Sequence, residues 1–285
     1  MSWRDRPALA GFVLYLAVAL LPLAASLIYG SLYSFGITGL LAPGATLAYW
    51  SRTLSNPELW SALAYSVYIA AAVVGLSGAL ALTLALLLRD RLRSGWLSGA
   101  LLLPMALPGA VAAFVIFQTL TAAGVVGRWA AAAGLPPLTN DRPGLGIILA
   151  HLLTAVPFFT LLFAQVADGE RLTEFTALAR TLGAGRVQRL RRVALPLMLR
   201  GASSSIWLVF VVVMGSYEIP LLLGRQTPEM ISVLALRKYA MYDLTQKPEA
   251  FVVAILYTLV TAGLVTLVMA PGDRKGGRAA IRSNR

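Results

Sequence analysis

Long apolar runs separated by short polar gaps dominate the chain. Six of them meet or approach the roughly 20 residues that a helix needs to cross the hydrocarbon layer: Leu9–Tyr29, Ala62–Leu88, Gly95–Thr121, Gly144–Ala167, Ser205–Leu223 and Phe251–Ala270. None contains Lys, Arg or Asp, and only the fifth contains Glu. Pro22, Pro104, Pro108, Pro157 and Pro220 fall inside these runs. Packed membrane helices tolerate proline because neighbours or local unwinding re-satisfy the freed carbonyls, so these positions predict bends. The first run exceeds the 7–15 residues of a signal-peptide core and reads as a retained span. The pattern predicts an all-α membrane protein of six transmembrane helices, with one transmembrane domain over 1–271 and a polar, basic tail over 272–285.

The polar gap between the fourth and fifth runs has a pattern of its own. Phe175, Leu178, Ala179 and Leu182 stand at i, i+3, i+4 and i+7, the stripe of an amphipathic helix. Thr173 can cap its start, Glu174 suits the positive end of the helix dipole, and Gly183 follows Arg180 as a natural stop. A second amphipathic stretch runs from Arg186 to Ala194, with Val187, Leu190 and Val193 on one side, and Pro196 is expected to end it. Periodicity leaves two readings open for this helix–glycine–helix loop. It can pack into a partner's groove, or lie on lipid headgroups through its basic face.

Composition agrees with the membrane reading. Of the 285 residues, 58% are hydrophobic and 13% charged, with a mean hydropathy of +0.76, where soluble domains carry roughly 25% charged residues. The net charge of +12 does not point to nucleic acid, because the basic residues lie in the gaps between apolar runs and not on one folded face. Seventeen of the 24 Lys and Arg fall on the side holding both termini, the turn at 89–93 and the loop at 168–200. The excess of positive charge on cytoplasmic loops therefore predicts that both termini and this loop face the cytoplasm, with anionic lipids as a secondary partner. There is no cysteine, which removes disulfides, thiolate metal sites and cysteine nucleophiles.

Candidate chemistry narrows the function. A phosphate-binding P-loop needs a lysine directly after a glycine, and Lys238, Lys247 and Lys275 all lack one. Any ATP chemistry must come from another chain. His151 is the single histidine and reads as a hydrogen-bonded packing residue within the fourth span. No G-x-S-x-G nucleophile elbow occurs, and the chain is not read as an enzyme. Glu218 is the one acidic group inside a run, and such groups default to a functional reading. Pro220, two residues on, predicts irregular backbone able to line a cavity. Tyr217 and Gln118 join Glu218 as candidate solute-pathway residues. The bland alternative for Glu218 is an interfacial carboxylate exposed at the outer surface or paired with Arg225 or Arg237, and for the other two an interfacial anchor and a helix–helix contact.

The run ALARTLGAGRVQRLRRVALP, Ala177 to Pro196, resembles the "EAA" loop of binding-protein-dependent ABC importer permeases. Ala179, Gly183, Ala184, Leu195 and Pro196 match, with the family's spacing of thirteen between glycine and proline. LAYWSRTLSNPELWSALAYSVYIA (47–70) and LLLPMALPGAVAAFV (101–115) resemble other parts of the same proteins. The resemblance implies a type I importer permease in a bacterial inner membrane, working by alternating access beside a second, homologous or identical permease subunit. It implies an extracytoplasmic solute-binding protein and ATP-binding subunits that hold the ATP and magnesium, with no cofactor in this chain. It also implies an ATPase-docking loop that includes Glu174, Leu178, Ala179, Arg180, Gly183, Ala184, Leu195 and Pro196. Ala177 stands where the family has its glutamate, and Glu174 is the candidate substitute. The Leu182-Gly183-Ala184 turn resembles permeases for polyamines, ferric iron, thiamine, sulfate and phosphonates. The P-x-L-L-G ending at Gly224 most resembles the spermidine and putrescine group, so a polyamine is the expected solute, with iron, thiamine, sulfate or phosphonate as the alternative. A secondary transporter or a membrane-anchored scaffold is the rival reading.

Overall fold

A computed structural model of the chain describes residues 5–39, 44–92, 95–134 and 139–269. The basic tail expected over 272–285 lies outside the described residues. Among the described residues the regular structure is helical, with no β-strand. In chain order the helices are α1 Asp5–Ser34, α2 Ala48–Ser55, α3 Pro57–Leu87, α4 Arg89–Leu92, α5 Trp96–Met105, α6 Gly109–Leu120 and α7 Val125–Ala132. There follow α8 Leu145–Gly169, α9 Leu172–Thr181, α10 Arg186–Arg189, a π-helical turn Leu190–Ala194, α11 Leu195–Met214, α12 Glu218–Leu223, α13 Ile231–Ala240 and α14 Gln246–Met269. Among the described residues six segments are long and apolar enough to cross a membrane: Leu14–Ser34, Pro57–Leu87, Gly109–Ala132, Leu145–Gly169, Arg186–Met214 and Gln246–Leu267.

Two of the six differ from the spans expected from hydropathy, for the same physical reason. The run Gly95–Thr121 is not one helix: α5 stops at Met105 and α6 starts at Gly109. Pro108 has no N–H to offer the carbonyl of Pro104 and disfavours helical backbone at Leu107, so the helix breaks between two prolines one turn apart. The run Ser205–Leu223 breaks likewise at Gly215–Tyr217, where Pro220 cannot donate to the Ser216 carbonyl, and α12 starts afresh at Glu218. Apolar length counts residues and is blind to these interruptions. The irregular backbone expected beside Pro220 is this break.

The chain divides into two compact units, one of residues 1–64 and 228–259 and the other of 65–227 and 260–285. The first has an apolar core of Leu59, Ala62, Ile231, Leu234 and Val253. Trp50 stacks on Phe35 with centroids 5.6 Å apart and donates its indole N–H to Ser34 Oγ at 3.2 Å. A charged clamp ties α3 to α13: Arg237 donates Nε at 2.9 Å and Nη2 at 2.7 Å to Glu229 Oε1, and Nη2 also reaches Glu58. Lys238, the next residue, pairs with Glu249 of α14 at 2.8 Å. Arg237 is thus engaged by Glu229 and Glu58, and its suggested pairing with Glu218 is corrected.

In the second unit α8 forms the centre. Its residues Ile147, Ala150, Phe159 and Phe163 are buried, Phe159 and Phe163 stack at 6.0 Å, and α5, α6, α11 and α12 pack against it. In lipid such contacts are held by close packing and small residues more than by the hydrophobic effect. Gly201 of α11 illustrates this, since a Cβ there would overlap the Val166 side chain of α8.

Candidate functional site

Two parts of the second unit carry the residues singled out by sequence. The first is the loop between α8 and α11. Arg171 takes a left-handed conformation, φ 50°, which turns the chain and starts α9 at Leu172. Thr173 therefore lies inside the first turn, and its expected capping role is corrected: Arg171 occupies the cap position. Glu174 sits in that turn, where the dipole favours it, and pairs with Arg171 at 3.7 Å across exposed surface. An exposed pair of this kind contributes little to stability.

α9 ends in a glycine turn with both of the bonds expected of it. Gly183 has φ +83°, its N–H donates to the Arg180 carbonyl at 3.0 Å, and the Ala184 N–H donates to the Ala179 carbonyl at 3.0 Å. This six-to-one and five-to-two pattern satisfies two carbonyls that the helix end would leave unpaired. It requires a left-handed residue at 183, which glycine adopts without steric cost. Four of the predicted loop residues, Ala179, Arg180, Gly183 and Ala184, thus form one turn.

The second stretch differs from expectation, because Pro196 does not end it. Helix continues from Arg186 through Met214, with the π-helical turn just before the proline and the Leu195 N–H reaching back to the Leu190 carbonyl. The wider turn relieves the crowding that Pro196 would otherwise cause against the preceding carbonyls, so the chain runs unbroken from the loop into the span. Leu195 and Pro196 are half-buried at its base. α9 packs against this turn and against α8, with Leu172 and Ala194 buried. The stripe Phe175, Leu178 and Leu182, with Val187 beyond the turn, points away from the chain: these side chains are 50, 58, 80 and 63% exposed. Exposed apolar side chains of this kind, on a loop that also carries arginines, make it a candidate interaction surface.

The second part joins α6 to α12. Glu218 accepts a hydrogen bond at 2.7 Å from the backbone N–H of Ala110, an amide that the first turn of α6 leaves without an intrahelical partner. Gly109 makes room for this, since a Cβ there would lie 2.9 Å from the same carboxylate oxygen. Tyr217 is the exposed residue before α12. Gln118 lies eight residues beyond Ala110 on α6, about 12 Å along a helix axis. The structure brings Tyr217 and Glu218 to one helix start and leaves Gln118 apart from them.

Sequence reasoning missed the partners here. His151 is buried, its Nδ1 donates to the Ile147 carbonyl at 2.9 Å, and its Nε2 therefore accepts from Ser216 Oγ at 3.1 Å. That bond holds the break at Gly215–Tyr217 onto α8. A mainly apolar cavity of about 240 Å³ beside it is lined by His151, Thr154, Met105, Phe158 and Val213, among others. The Gly215-Ser216 pair before a proline was the available signal for this break. Among the described residues no group of three or more His, Cys, Asp and Glu is placed to hold a metal ion.

Comparison with known proteins agrees with this architecture. The chain resembles the probable molybdenum ABC transporter permease protein of Haloferax volcanii, 29% identical over 60% of this chain and 59% of that one. It resembles the molybdenum transport system permease protein ModB of Mycobacterium tuberculosis, 28% identical over 77% and 81%, and the sulfate transport system permease protein CysT of Escherichia coli, 30% identical over 75% of each. Its fold matches a chain of a bacterial alginate ABC transporter crystallised with an alginate-bound periplasmic protein, with a TM-score of 0.68, 16% identity and 93% coverage of both chains. The expected likeness to spermidine and putrescine permeases is corrected by these relatives. The Leu182-Gly183-Ala184 turn, expected to be shared with sulfate permeases among others, agrees with the sulfate relative, whereas in the P-x-L-L-G stretch Pro220 and Leu223 are buried in α12. Residues 71–273 match the family described as binding-protein-dependent transport system inner membrane component, and the chain belongs to that family of ABC importer permeases.

Proposed function

We propose that this permease subunit, paired with a second permease subunit, forms the membrane path of an ATP-driven importer for a small oxyanion of the molybdate or sulfate class. The observation that carries the coupling is the exposed apolar ridge of Phe175, Leu178, Leu182 and Val187 on a turn stiffened by Gly183. Membership of the importer permease family favours a groove on an ATP-binding subunit over a bed of headgroups as its partner. ATP-driven closure of two such subunits would draw the loops together. The unbroken helix from Arg186 to Met214 carries that displacement as a rigid body to the break at Gly215, and there to the Glu218–Ala110 bond. A solute-binding protein supplies the solute on the opposite side. Its loaded form and ATP each bias the same two-state element, as coupling requires.

The solute class rests on the named molybdenum and sulfate relatives. In this reading the Glu218 carboxylate, held by the Ala110 amide, is a structural tie. Arg225, exposed two residues after α12, supplies positive charge suited to an anion at the far end of that helix. Reconstitution in liposomes with an ATP-binding subunit and loaded binding protein should give ATP hydrolysis and accumulation of molybdate or sulfate together. Uptake driven by an ion gradient without ATP would overturn the importer reading, and ATP-dependent uptake that excludes both oxyanions would overturn the solute class.

A further inference from the structure

The first unit contains a cavity that the transport reading does not use. It measures about 430 Å³ and is lined by Tyr29, Tyr33, Gly39, Tyr239, Lys247 and Phe251, within the usual size range of ligand pockets. The rings form a continuous aromatic wall: Tyr33 and Phe251 lie 4.6 Å apart, Tyr29 and Tyr33 5.9 Å, and Tyr239 and Phe251 6.0 Å. Lys247 places its ammonium 5.6 Å from the centroid of the Tyr239 ring. Its neighbour in kind, Lys238, is neutralised by Glu249 at 2.8 Å. Among the described residues no carboxylate lies within ion-pair distance of Lys247.

The position of the cavity along the spans matters as much as its lining. Tyr29 and Tyr33 lie in the last two turns of the span Leu14–Ser34, and Lys247 in the first turn of the span Gln246–Leu267. Span ends carrying Tyr and Lys sit at headgroup depth. Below the cavity, Leu23, Leu27 and Ile28 of α1 are exposed and apolar, a surface suited to acyl chains. We propose that this cavity is a binding site for the anionic headgroup of a phospholipid, with Lys247 contacting the phosphodiester, the tyrosine edges and hydroxyls walling the headgroup, and the acyl chains lying along α1. An aromatic wall alone would favour a quaternary ammonium group. Lys247 in its lining repels such a cation and reverses the preference.

Native mass spectrometry of the full-length protein, titrated with phosphatidylglycerol or phosphatidylcholine, tests this directly. The wild type should retain phosphatidylglycerol over phosphatidylcholine. Lys247→Gln should weaken phosphatidylglycerol binding about fivefold, the scale expected for one basic residue at an anionic surface, and Lys247→Arg should keep it. Arg52→Gln removes the same charge from an exposed position on α2 and should leave binding unchanged. Thermal unfolding of each variant separates loss of the site from loss of the fold. Equal retention of the two lipids, or an equal loss in Arg52→Gln, would overturn the proposal. So would displacement of bound phosphatidylglycerol by millimolar inorganic phosphate that itself binds the wild type and not Lys247→Gln, since that would make the site one for free oxyanions.

Discussion

The carboxylate of Glu218 and the backbone amide of Ala110 are joined at 2.7 Å, so the first turn of α12 is tied to the first turn of α6. One ionisable side chain thereby links the two places where proline interrupts an apolar run. Removing the acceptor should separate them. Glu218→Ala is expected to destabilise the protein by about 1 kcal/mol, toward the low end for a charge-assisted bond because the side chain is exposed. Gly109→Ala should cost a similar amount in the wild type, by displacing the same oxygen, and much less in Glu218→Ala. Thermal unfolding in detergent across this double-mutant cycle reads the coupling; additive effects would show that the bond is not what Gly109 protects.

The glycine turn after α9 makes a sharper contrast. Gly183→Val places a β-branched residue at φ +83°, a strain on the order of 1–2 kcal/mol, and should reduce ATP hydrolysis stimulated by loaded binding protein. Gly185 has an ordinary φ of −67° and open space around it. Gly185→Ala should leave that activity unchanged. Equal activity in both variants would remove the turn from the coupling path.

The apolar ridge can be tested without disturbing the fold because its side chains touch little of the chain. Leu182→Asp and Phe175→Asp should unfold at the wild-type temperature and bind an ATP-binding subunit at least about tenfold more weakly, the loss expected when a buried interface anchor is made charged. Glu174→Arg, which breaks only the exposed contact to Arg171, should weaken binding less than either. Copurification from detergent gives the readout.

In the first unit, Glu229 has a side chain only 4% exposed and Arg237 is its partner. Arg237→Ala leaves that carboxylate buried and unpaired, and should cost about 2–3 kcal/mol, below the full cost of a wholly buried pair because Arg237 is a third exposed. Arg237→Ala combined with Glu229→Gln should recover part of the loss. The hydrogen bond to Glu229 is the main cause that holds the Arg237 guanidinium above its ordinary range, against the opposing effect of burial. A base with a raised folded value stabilises the fold at every pH below its unfolded value, and loses that contribution only as pH climbs through the folded one. The difference in melting temperature between wild type and Arg237→Ala should therefore stay constant from about pH 7 to about pH 10.

Much of this protein is written locally. Apolar run length gives the membrane class, because a helix must hide its backbone polar groups from lipid and needs about 20 apolar residues to do so. The α9 turn is equally legible: the period of Phe175, Leu178 and Leu182 and the glycine at 183 act within a few residues of one another. Tertiary structure decided the rest. Hydropathy could not show that α5–α6 and α11–α12 break, since Pro104 with Pro108 and Pro220 with Gly215 interrupt helices without adding polarity. Pro196 shows the converse, a proline that a π-helical turn accommodates so that Arg186 to Met214 stays one helix. The partners of Glu218 and His151 lie 108 and 65 residues away along the chain. No periodicity carries that information, because a buried polar group is satisfied by whatever donor or acceptor packing brings to it.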